Sequence, residues 1–551
     1  MIRLIKNNGY KWVSKDGVHF KGFFFVGDIL YKPPEAICYF KNVENKEHFL
    51  ELIRNLNGSF SVVIEREMKV FAAVDRARSM PLYFSDDFQI ISDCSEDIRK
   101  LLGIEKQAVN RTHLYELLAN NYLMFNKTVY SEIRQLNLGQ ALTVENGIGS
   151  VEYYYRHVSS IKDIEEEQAK SMLREKTYNA FKRLKQIIAG RPVVLSLSGG
   201  YDSRLVACML KEFGVENVSC YTYGRFDSSE IQLSKKIAEN LGYRWRCVEY
   251  TDAMIKSIFS EKYKSYFAEN LNHDYSFYLQ NLLAVTELQE EGWFEKGSVF
   301  LTGLCGDLPS GAYVVTSNYF KDQQIDEKFC AMRFYEDHYL NKYQPNTNIE
   351  VEILHEIYDD IKTIGIDIKN IQDYVRVYDC LETGSVHSRA YLHANKPHEF
   401  IGGEWLLPLW DNDWLEYWYS LPMRYRTSQN LYEQWMQEGL FEKYDVAFKK
   451  ERIFKDSYQV RKMQLRTRAK YKIGGIIAHI TLTMGIPLKR KVDYNNFSVG
   501  SVVCYKDVKN RRLINYMKGN FATIFTTWVC EQHYGAETVK ESLKLVESFR
   551  I

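Results

Sequence analysis

LSLSGGYDSRL, residues 195–205, is the stretch that decides the fold of this 551-residue chain. It ends a short apolar strand predicted at 193–197 and passes through a Gly-rich turn into an amphipathic helix predicted at 204–213. Gly199 and Gly200 carry no Cβ, so their backbone N–H groups can approach an anion closely. The following helix directs its free N–H groups and its positive end at the same point. The pattern therefore predicts a phosphate-binding loop between a buried strand and a helix.

The hydroxyl and carboxyl groups of this loop extend the prediction. Ser198 and Ser203 add hydroxyl donors, and Asp202 beside an anion makes sense if it helps to hold a divalent cation such as Mg²⁺. The loop is not a Walker A motif, because no G-x-x-x-x-G-K-[ST] pattern occurs in it. The alternative is an ordinary strand-to-helix turn that Asp or Ser caps.

The surrounding residues continue the alternation of strand and helix. Apolar strands are predicted at 218–223, 246–250 and 299–302, and an amphipathic helix at 230–241 separates the first two. Units of these lengths imply right-handed crossovers and a parallel sheet. A long charged helix is predicted at 164–188, and aromatic and β-branched runs predict mainly strands and turns in the first hundred residues. The chain is therefore predicted to be an α/β protein.

The loop also carries a family resemblance. SGGYDS resembles the SGGxDS loop of the PP-loop ATP pyrophosphatases, which cleave ATP between its α and β phosphates to adenylate a substrate. Further segments are similar to motifs of the asparagine synthetase family: TGLCGDLPSGAY at 302–313, EWLLPLWD at 404–411, LNGSF at 56–60, VDR at 74–76 and PLY at 81–83. The resemblance spans roughly residues 50–455, and the PP-loop is its most specific part.

The resemblance implies a fold of three parts. Residues 1–150 would form a degenerate, β-rich, Ntn-hydrolase-like domain of the class II glutamine amidotransferase type. Residues 151–460 would form a parallel-sheet PP-loop domain of the adenine nucleotide alpha hydrolase-like type, which binds ATP. Residues 461–551 would form a helical C-terminal extension.

The resemblance also implies the cofactors, ATP and Mg²⁺, and the residues that hold them. The amides and hydroxyls that bind pyrophosphate in the family correspond to Ser198, Gly199, Gly200 and Ser203. Positions near the adenine base correspond to Leu197, Tyr223, Thr302 and Gly303. The two magnesium-holding acids correspond to Asp202 and Asp307, of which Asp307 is also expected to be catalytic. The family's catalytic lysine corresponds to Lys450, with Lys449 as an alternative.

Several positions depart from the family pattern. Ile2 stands where the family exposes an N-terminal cysteine nucleophile, and the first cysteine, Cys38, falls in an apparent strand, so we expect no glutamine hydrolysis. Leu304 and Leu308 stand where the second loop of the family carries acids, and Leu406 replaces an arginine. Losing such an acid removes a catalytic contribution of about 10²–10⁴-fold, but it leaves the ATP site intact. The pattern favours retained adenylation with an altered acceptor or amine.

The resemblance therefore implies an asparagine synthase (glutamine-hydrolysing)-like carbon–nitrogen ligase without its own glutaminase nucleophile. It would adenylate a carboxylate, release pyrophosphate and transfer an amine with loss of AMP. The expected partners are ATP, a small-molecule carboxylate or sugar acid, an amine donor, and a separate glutaminase that supplies ammonia. The alternatives are asparagine synthesis proper from external ammonia, and a non-catalytic nucleotide-binding scaffold.

Composition excludes several other classes. The net charge is +1, with 72 Lys+Arg against 71 Asp+Glu, so no overall field would gather nucleic acid. The ten cysteines show no C-x-x-C spacing, which disfavours a zinc knuckle, a redox dithiol and a tRNA-modifying enzyme. The longest uncharged run, 473–488, is too short to span a membrane. We expect a cytoplasmic protein with reduced thiols.

Three smaller features have alternative interpretations. The tryptophans of residues 404–418 could stack on a sugar, although packing is the commoner role for Trp at near-helical spacing. His273 and Asp274 could form a general-base pair, although adjacent side chains seldom point together. His387, near Arg389, could bind a carboxylate, although a position on a helix surface is expected for both.

Overall fold

The structure is a computed structural model, which describes residues 1–224, 228–312, 324–339, 347–448, 508–510 and 521–544. These residues form two N-terminal sheets, a separate parallel sheet and a large helical region. The predicted α/β class is confirmed. Lys449 and Lys450 lie outside the described residues, as does the uncharged run 473–488. In the part of the chain that the structure describes, no helix combines the length and the apolarity that crossing a membrane requires.

The first 155 residues contain two sheets. One has the order β1-β8-β7-β9, and the other has the order β11-β10-β6-β5-β3-β2, with β4 paired to β3. Their strands are β1 (Ile2–Arg3), β2 (Val13–Lys15), β3 (Val18–Val26), β4 (Ile29–Tyr31), β5 (Asn57–Arg66), β6 (Lys69–Val74), β7 (Tyr83–Ser85), β8 (Ile91–Ser92), β9 (Ile133–Gln135), β10 (Gln140–Glu145) and β11 (Ile148–Tyr153).

Alternating side chains of the larger sheet reach two different cores. Val63 and Leu142 pack with Phe84 and Ile91 of the smaller sheet, so the two sheets stack face to face. Val62 and other residues of the opposite face pack against two helices, α1 (Glu35–Phe40) and α2 (Lys46–Arg54). The expected strand around Cys38 is wrong, because this exposed residue lies on α1.

The central sheet is entirely parallel. Its strands are β12 (Val193–Ser196), β13 (Val218–Gly224), β14 (Arg244–Glu249), β15 (Val299–Thr302) and β16 (Glu404–Leu406), in the order β14-β13-β12-β15-β16. The chain moves outward from β12 to β14 and then returns to the other side of β12 with β15. This reversal opens a crevice at the carboxyl ends of β12 and β15, where α/β proteins bind ligands.

Helices cover the parallel sheet and form the rest of the described structure. They are α3 (Ser95–Leu101), α4 (Arg111–Asn120), α5 (Glu166–Ile188), α6 (Tyr201–Glu212), α7 (Ser229–Leu241), α8 (Asp252–Lys256), α9 (Lys264–Asn270), α10 (Leu282–Glu290), α11 (Asp307–Ser310), α12 (Glu327–His338), α13 (Thr347–Ile364), α14 (Ile371–Glu382), α15 (Lys396–Phe400), α16 (Asn412–Tyr419), α17 (Met423–Arg426), α18 (Asn430–Trp435), α19 (Phe521–Tyr534) and α20 (Ala536–Leu543). Residues Thr383–Tyr391 and Met436–Phe441 are π-helical.

Two cores join the N-terminal part to the remainder. Phe23 and Phe25 of β3 belong to the same buried cluster as the parallel sheet and α5. Helix α4 packs in a second cluster with α12, α13 and α14 and with the C-terminal helices α19 and α20. The C-terminal helices therefore rest on the N-terminal part of the chain.

Candidate active site

The Gly-rich turn after β12 is shaped by its own serines. The Gly200 N–H donates to Ser198 Oγ at 3.1 Å, and the Ser198 N–H donates to Ser203 Oγ at 3.1 Å. The two hydroxyl oxygens lie 2.9 Å apart. Helix α6 begins at Tyr201, so its first N–H groups point into the turn. The serines and the start of the helix therefore meet in one turn, and binding of an anion there stays a prediction.

The second Gly-rich turn, after β15, contacts the first one backbone to backbone. A Cβ on Gly303 would lie 2.4 Å from Ser203 N and 2.7 Å from the carbonyl carbon of Asp202. Only a residue without a side chain allows this approach. The sequence signal was the glycine itself, and the structure shows that it lets the turns after β12 and β15 meet.

The two predicted metal-binding acids meet where these turns touch. Asp202 Oδ2 accepts a hydrogen bond from the Asp307 N–H at 3.1 Å, and Asp202 Oδ1 accepts one from the Tyr432 hydroxyl at 2.8 Å. Burial and the neighbouring Asp202 raise the pKa of Tyr432 well above its usual value, so its hydroxyl remains a donor. Both aspartates line the same cavity, and two carboxylates are a donor set that suits Mg²⁺.

These groups surround one cavity of about 440 Å³. Its lining includes eight of the predicted site residues: Ser198, Gly200, Asp202, Ser203, Tyr223, Thr302, Gly303 and Asp307. Leu197 is buried in the core, and its N–H donates to the carbonyl of Tyr221 at 2.9 Å. Gly199 faces α7, where its Cβ position lies 3.3 Å from the Glu230 carbonyl. Leu197 and Gly199 are therefore not part of the cavity wall. The ligand contacts of these ten predicted residues stay a prediction.

The opposite wall of the cavity is formed by residues that sequence reasoning missed. They are Tyr278, Gln280, Asn281, Ala394, Gln429 and Glu433. Asn281 is held in place because its Nδ2 donates to the Ala394 carbonyl at 3.1 Å. Asn281 Oδ1 and Thr302 Oγ1 are buried and have no hydrogen-bond partner among the described residues. These two oxygen atoms can therefore form hydrogen bonds with a ligand. No motif or spacing distinguishes the six missed residues in the sequence.

Arg204 connects the phosphate loop to the segment that leads to the predicted catalytic lysine. This buried guanidinium donates to the carbonyls of Gly199 at 2.7 Å, Val446 at 3.0 Å and Phe448 at 2.9 Å. Phe448 immediately precedes Lys449 and Lys450 in the sequence. Phe448, the residue just before the two candidate lysines, is therefore connected to the phosphate loop through Arg204.

The EWLLPLWD segment is part of the supporting framework. Asp411 accepts two hydrogen bonds of 2.7 Å from Arg183 of α5 and one of 3.0 Å from Asn57 of β5. It also caps α16 by accepting from the Trp414 N–H at 3.3 Å. Leu406, which stands where the family carries an arginine, is buried in β16. The four tryptophans, Trp405, Trp410, Trp414 and Trp418, are at most 7% exposed, so packing rather than sugar stacking explains them.

His387 and Arg389 are buried, so their expected surface position is wrong. His387 Nδ1 lies 3.2 Å from Cys305 Sγ, beneath the second Gly-rich turn. Cys305 adopts a left-handed backbone with φ of 68°, a conformation that favours glycine. Burial, followed by the charge of Asp307, raises the pKa of the Cys305 thiol well above its usual value. The pair therefore supports the turn as a neutral thiol and imidazole.

His273 and Asp274 do not act together. Asp274 pairs with Arg78 at 2.8 Å in a fully buried ion pair, while His273 faces Glu96 and Tyr534. Both residues lie between the N-terminal sheets and the helical region, and neither lines the cavity.

A phosphate loop at the switch point of a parallel sheet, with two acids beside it, defines a nucleotide-binding site of the PP-loop class. A family model described as asparagine synthase matches residues 172–444, and one described as a glutamine amidotransferase domain matches residues 46–155. The chain belongs to the asparagine synthetase family, as the sequence motifs indicated, and is an ATP-dependent carbon–nitrogen ligase of that type. A search of curated proteins found no significant match.

Proposed function

We propose that this protein adenylates a small carboxylate with Mg·ATP, releases pyrophosphate and then transfers an amine to the activated carbonyl with loss of AMP. The observation that carries the proposal is the convergence of the serine-lined turn and the Asp202–Asp307 pair on one cavity. A scaffold that only bound nucleotide would have less need for two acids at this position, because carboxylates beside phosphate are repulsive without a cation.

Each part of the site has a distinct task in this reaction. Ser198, Ser203 and the first N–H groups of α6 would bind the phosphates that leave as pyrophosphate. Asp202 and Asp307 would hold Mg²⁺, which supplies charge stabilisation on the phosphate oxygens. Tyr223, stacked on Tyr250 with ring centroids 5.2 Å apart, offers a flat surface near the end of β13 for the base.

The lining favours a sugar acid over aspartate as the acceptor. Among the described residues, no lysine, arginine or histidine lines the cavity, so a second carboxylate on the acceptor finds no cation there. The amides of Gln280 and Asn281 and the hydroxyl of Tyr278 instead match the hydroxyl groups of a sugar. Leu304 adds apolar surface where the family carries an acid. Asparagine synthesis from external ammonia is the alternative that this lining disfavours.

The amine is proposed to come from ammonia, from a separate glutaminase or from an amine within the acceptor. In residues 1–155 the two cysteines are Cys38, exposed on α1, and Cys94, buried before α3. Buried ion pairs and hydrogen bonds lie between the N-terminal sheets and the helical region, including the Arg78–Asp274 pair. Arg389 adds hydrogen bonds to the carbonyls of Leu123 and Phe125. We therefore propose a supporting role for the N-terminal part.

A cytoplasmic location completes the proposal. The nine cysteines among the described residues are all free, including Cys208 and Cys220 of the same buried cluster. Unpaired buried thiols are the usual state of proteins kept in a reducing compartment.

The test is pyrophosphate release from Mg·ATP, measured with aspartate, uronic acids and other carboxylates, each with and without ammonia. Asp202→Asn removes one metal-binding charge, and Asp163→Asn is the matched control because Asp163 is exposed and, among the described residues, pairs with surface Arg424. We expect release that depends on one acceptor, survives in Asp163→Asn and disappears in Asp202→Asn. Equal release by the two variants would contradict the proposal, and release with aspartate alone would favour asparagine synthesis.

A further inference from the structure

A second cluster of ligand-type side chains lies outside the nucleotide cavity. Glu96 of α3, His273 of the segment after α9, and His533 of α19 come from three distant parts of the chain. Each offers one ligand atom, and these atoms all lie within 4.8 Å of one another. None of the three residues lines the nucleotide cavity. The cluster sits where the C-terminal helices meet the N-terminal part.

His273 is fixed at the centre of this cluster. Its Nε2 lies 2.8 Å from Glu96 Oε2, and its Nδ1 lies 2.9 Å from the Tyr534 hydroxyl. The residue is 1% exposed and adopts a left-handed backbone with φ of 61°. A strained backbone around a buried imidazole is a feature that clusters at functional sites. The Tyr534 contact also resembles the outer hydrogen bond that orients metal-binding histidines.

His533 supplies the unsatisfied group. Its ring centroid lies 5.2 Å from that of His273, and its Nε2 is buried with no hydrogen-bond partner among the described residues. A buried ring nitrogen without a partner has a cost that a bound cation would remove.

The side-chain types of the cluster suit a metal. Each of the three residues offers one ligand atom within 4.8 Å of the other two. Two neutral imidazoles and one carboxylate form the ligand set of many open zinc sites.

The surrounding charges restrict which ion fits. Arg99 donates to both oxygens of Glu96, at 2.7 Å and 2.9 Å, and Lys100 lies 3.8 Å from Oε1. A cation must therefore share the carboxylate with Arg99 and gain most of its binding from nitrogen. That condition favours zinc-class ions over Mg²⁺ and Ca²⁺, which prefer oxygen ligands.

We propose that Glu96, His273 and His533 bind one zinc-class divalent cation that clamps α19 onto α3 and the segment after α9. The site is structural, because it is separate from the nucleotide cavity. The cation would fix α19, which follows in sequence the stretch that begins after Phe448 and includes Lys449 and Lys450. No part of this assignment depends on the acceptor or on the reaction.

The experiment uses the full chain, stripped with a chelator and dialysed against zinc alone. Bound zinc is measured by elemental analysis, cobalt substitution is followed by visible absorption, and the melting temperature is recorded with and without zinc. The variants are His533→Gln and His273→Gln, and the matched control is His355→Gln, which alters an exposed histidine of α13.

We expect one zinc per chain and a zinc-dependent rise in melting temperature in the wild type and in His355→Gln. Both effects should be lost in His533→Gln, which remains decisive if His273→Gln fails to fold, because His533 lies at the partly exposed rim of the cluster. Equal zinc binding by His533→Gln and the control, or no zinc bound by the wild type, overturns the proposal. Pyrophosphate release is measured separately, so failure of the ligase proposal would be distinguishable.

Discussion

Gly303→Ala tests whether contact between the two Gly-rich turns assembles the site. The added Cβ would lie 2.4 Å from Ser203 N and 2.7 Å from both the Asp202 carbonyl carbon and Ser203 Cα. All three are backbone atoms, so no side-chain rotation relieves the contact. Restoring ordinary contact of at least 3.4 Å requires the turns to separate by about 1 Å.

That displacement acts directly on the proposed metal site, because Asp202 and Asp307 lie on opposite turns. A misplacement of about 1 Å costs on the order of 10²-fold in rate, and overpacking costs about 1–3 kcal/mol in stability. We therefore expect Gly303→Ala to remain folded and to lose at least 10²-fold in kcat/KM for pyrophosphate release.

The matched control is Gly439→Ala, since a Cβ on Gly439 would meet no atom within 4 Å. Both variants are assayed for pyrophosphate release with the acceptor found in the carboxylate screen, and their folding is compared by thermal melting. Gly303→Ala activity within about threefold of the control would refute the reasoning, because a 1 Å displacement should cost far more.

Three further substitutions test the framework. Arg183→Met leaves Asp411 without its bidentate partner and should lower the free energy of unfolding by about 3–5 kcal/mol. The control Lys182→Met breaks the exposed pair with Asp28 and should change that free energy by less than about 1 kcal/mol. Chemical denaturation of the two variants measures the difference. Arg204→Gln releases the Gly199, Val446 and Phe448 carbonyls and should lower kcat for pyrophosphate release by about 10–100-fold. An unchanged kcat would argue against its positioning role. Burial lowers the pKa of His398 to about 3, so this residue takes up a proton on unfolding below pH 6.5. Lowering the pH from 7 to 5 should therefore reduce the free energy of unfolding by about 2 kcal/mol through this residue. His398→Phe, which keeps a ring against Phe300, should remove that part of the pH dependence of denaturation, and an unchanged pH dependence would contradict the assignment.

The sequence predicted the parallel-sheet region closely because its elements are defined by local patterns. The strand predicted at 299–302 agrees with β15, and the helix predicted at 230–241 agrees with α7 to within one residue. Cys38 shows the opposite case, because its short apolar neighbourhood suits a strand as well as the helix that covers the sheet. Short apolar runs do not distinguish the two.

The candidate site divides in the same way. The phosphate loop could be predicted because its chemistry depends on residues adjacent in sequence, whereas Asp307 came from the resemblance of its loop to the family motif. Tyr278, Gln280 and Asn281 could not, because they reach the cavity from an irregular segment before α10 that carries no periodicity. The position of Asn281 depends on a long-range contact with the Ala394 carbonyl.

The shared core described above has a consequence for the ancestry of the chain. Phe23 and Phe25 complete the hydrophobic interior of the nucleotide-binding half, and Asn57 holds the acid that caps α16. A gene that discarded the N-terminal sheets would therefore expose apolar surface and leave Arg183 and Asp411 in partly solvated positions. Selection for a folded ligase alone is enough to preserve the N-terminal sheets, whatever becomes of their own chemistry.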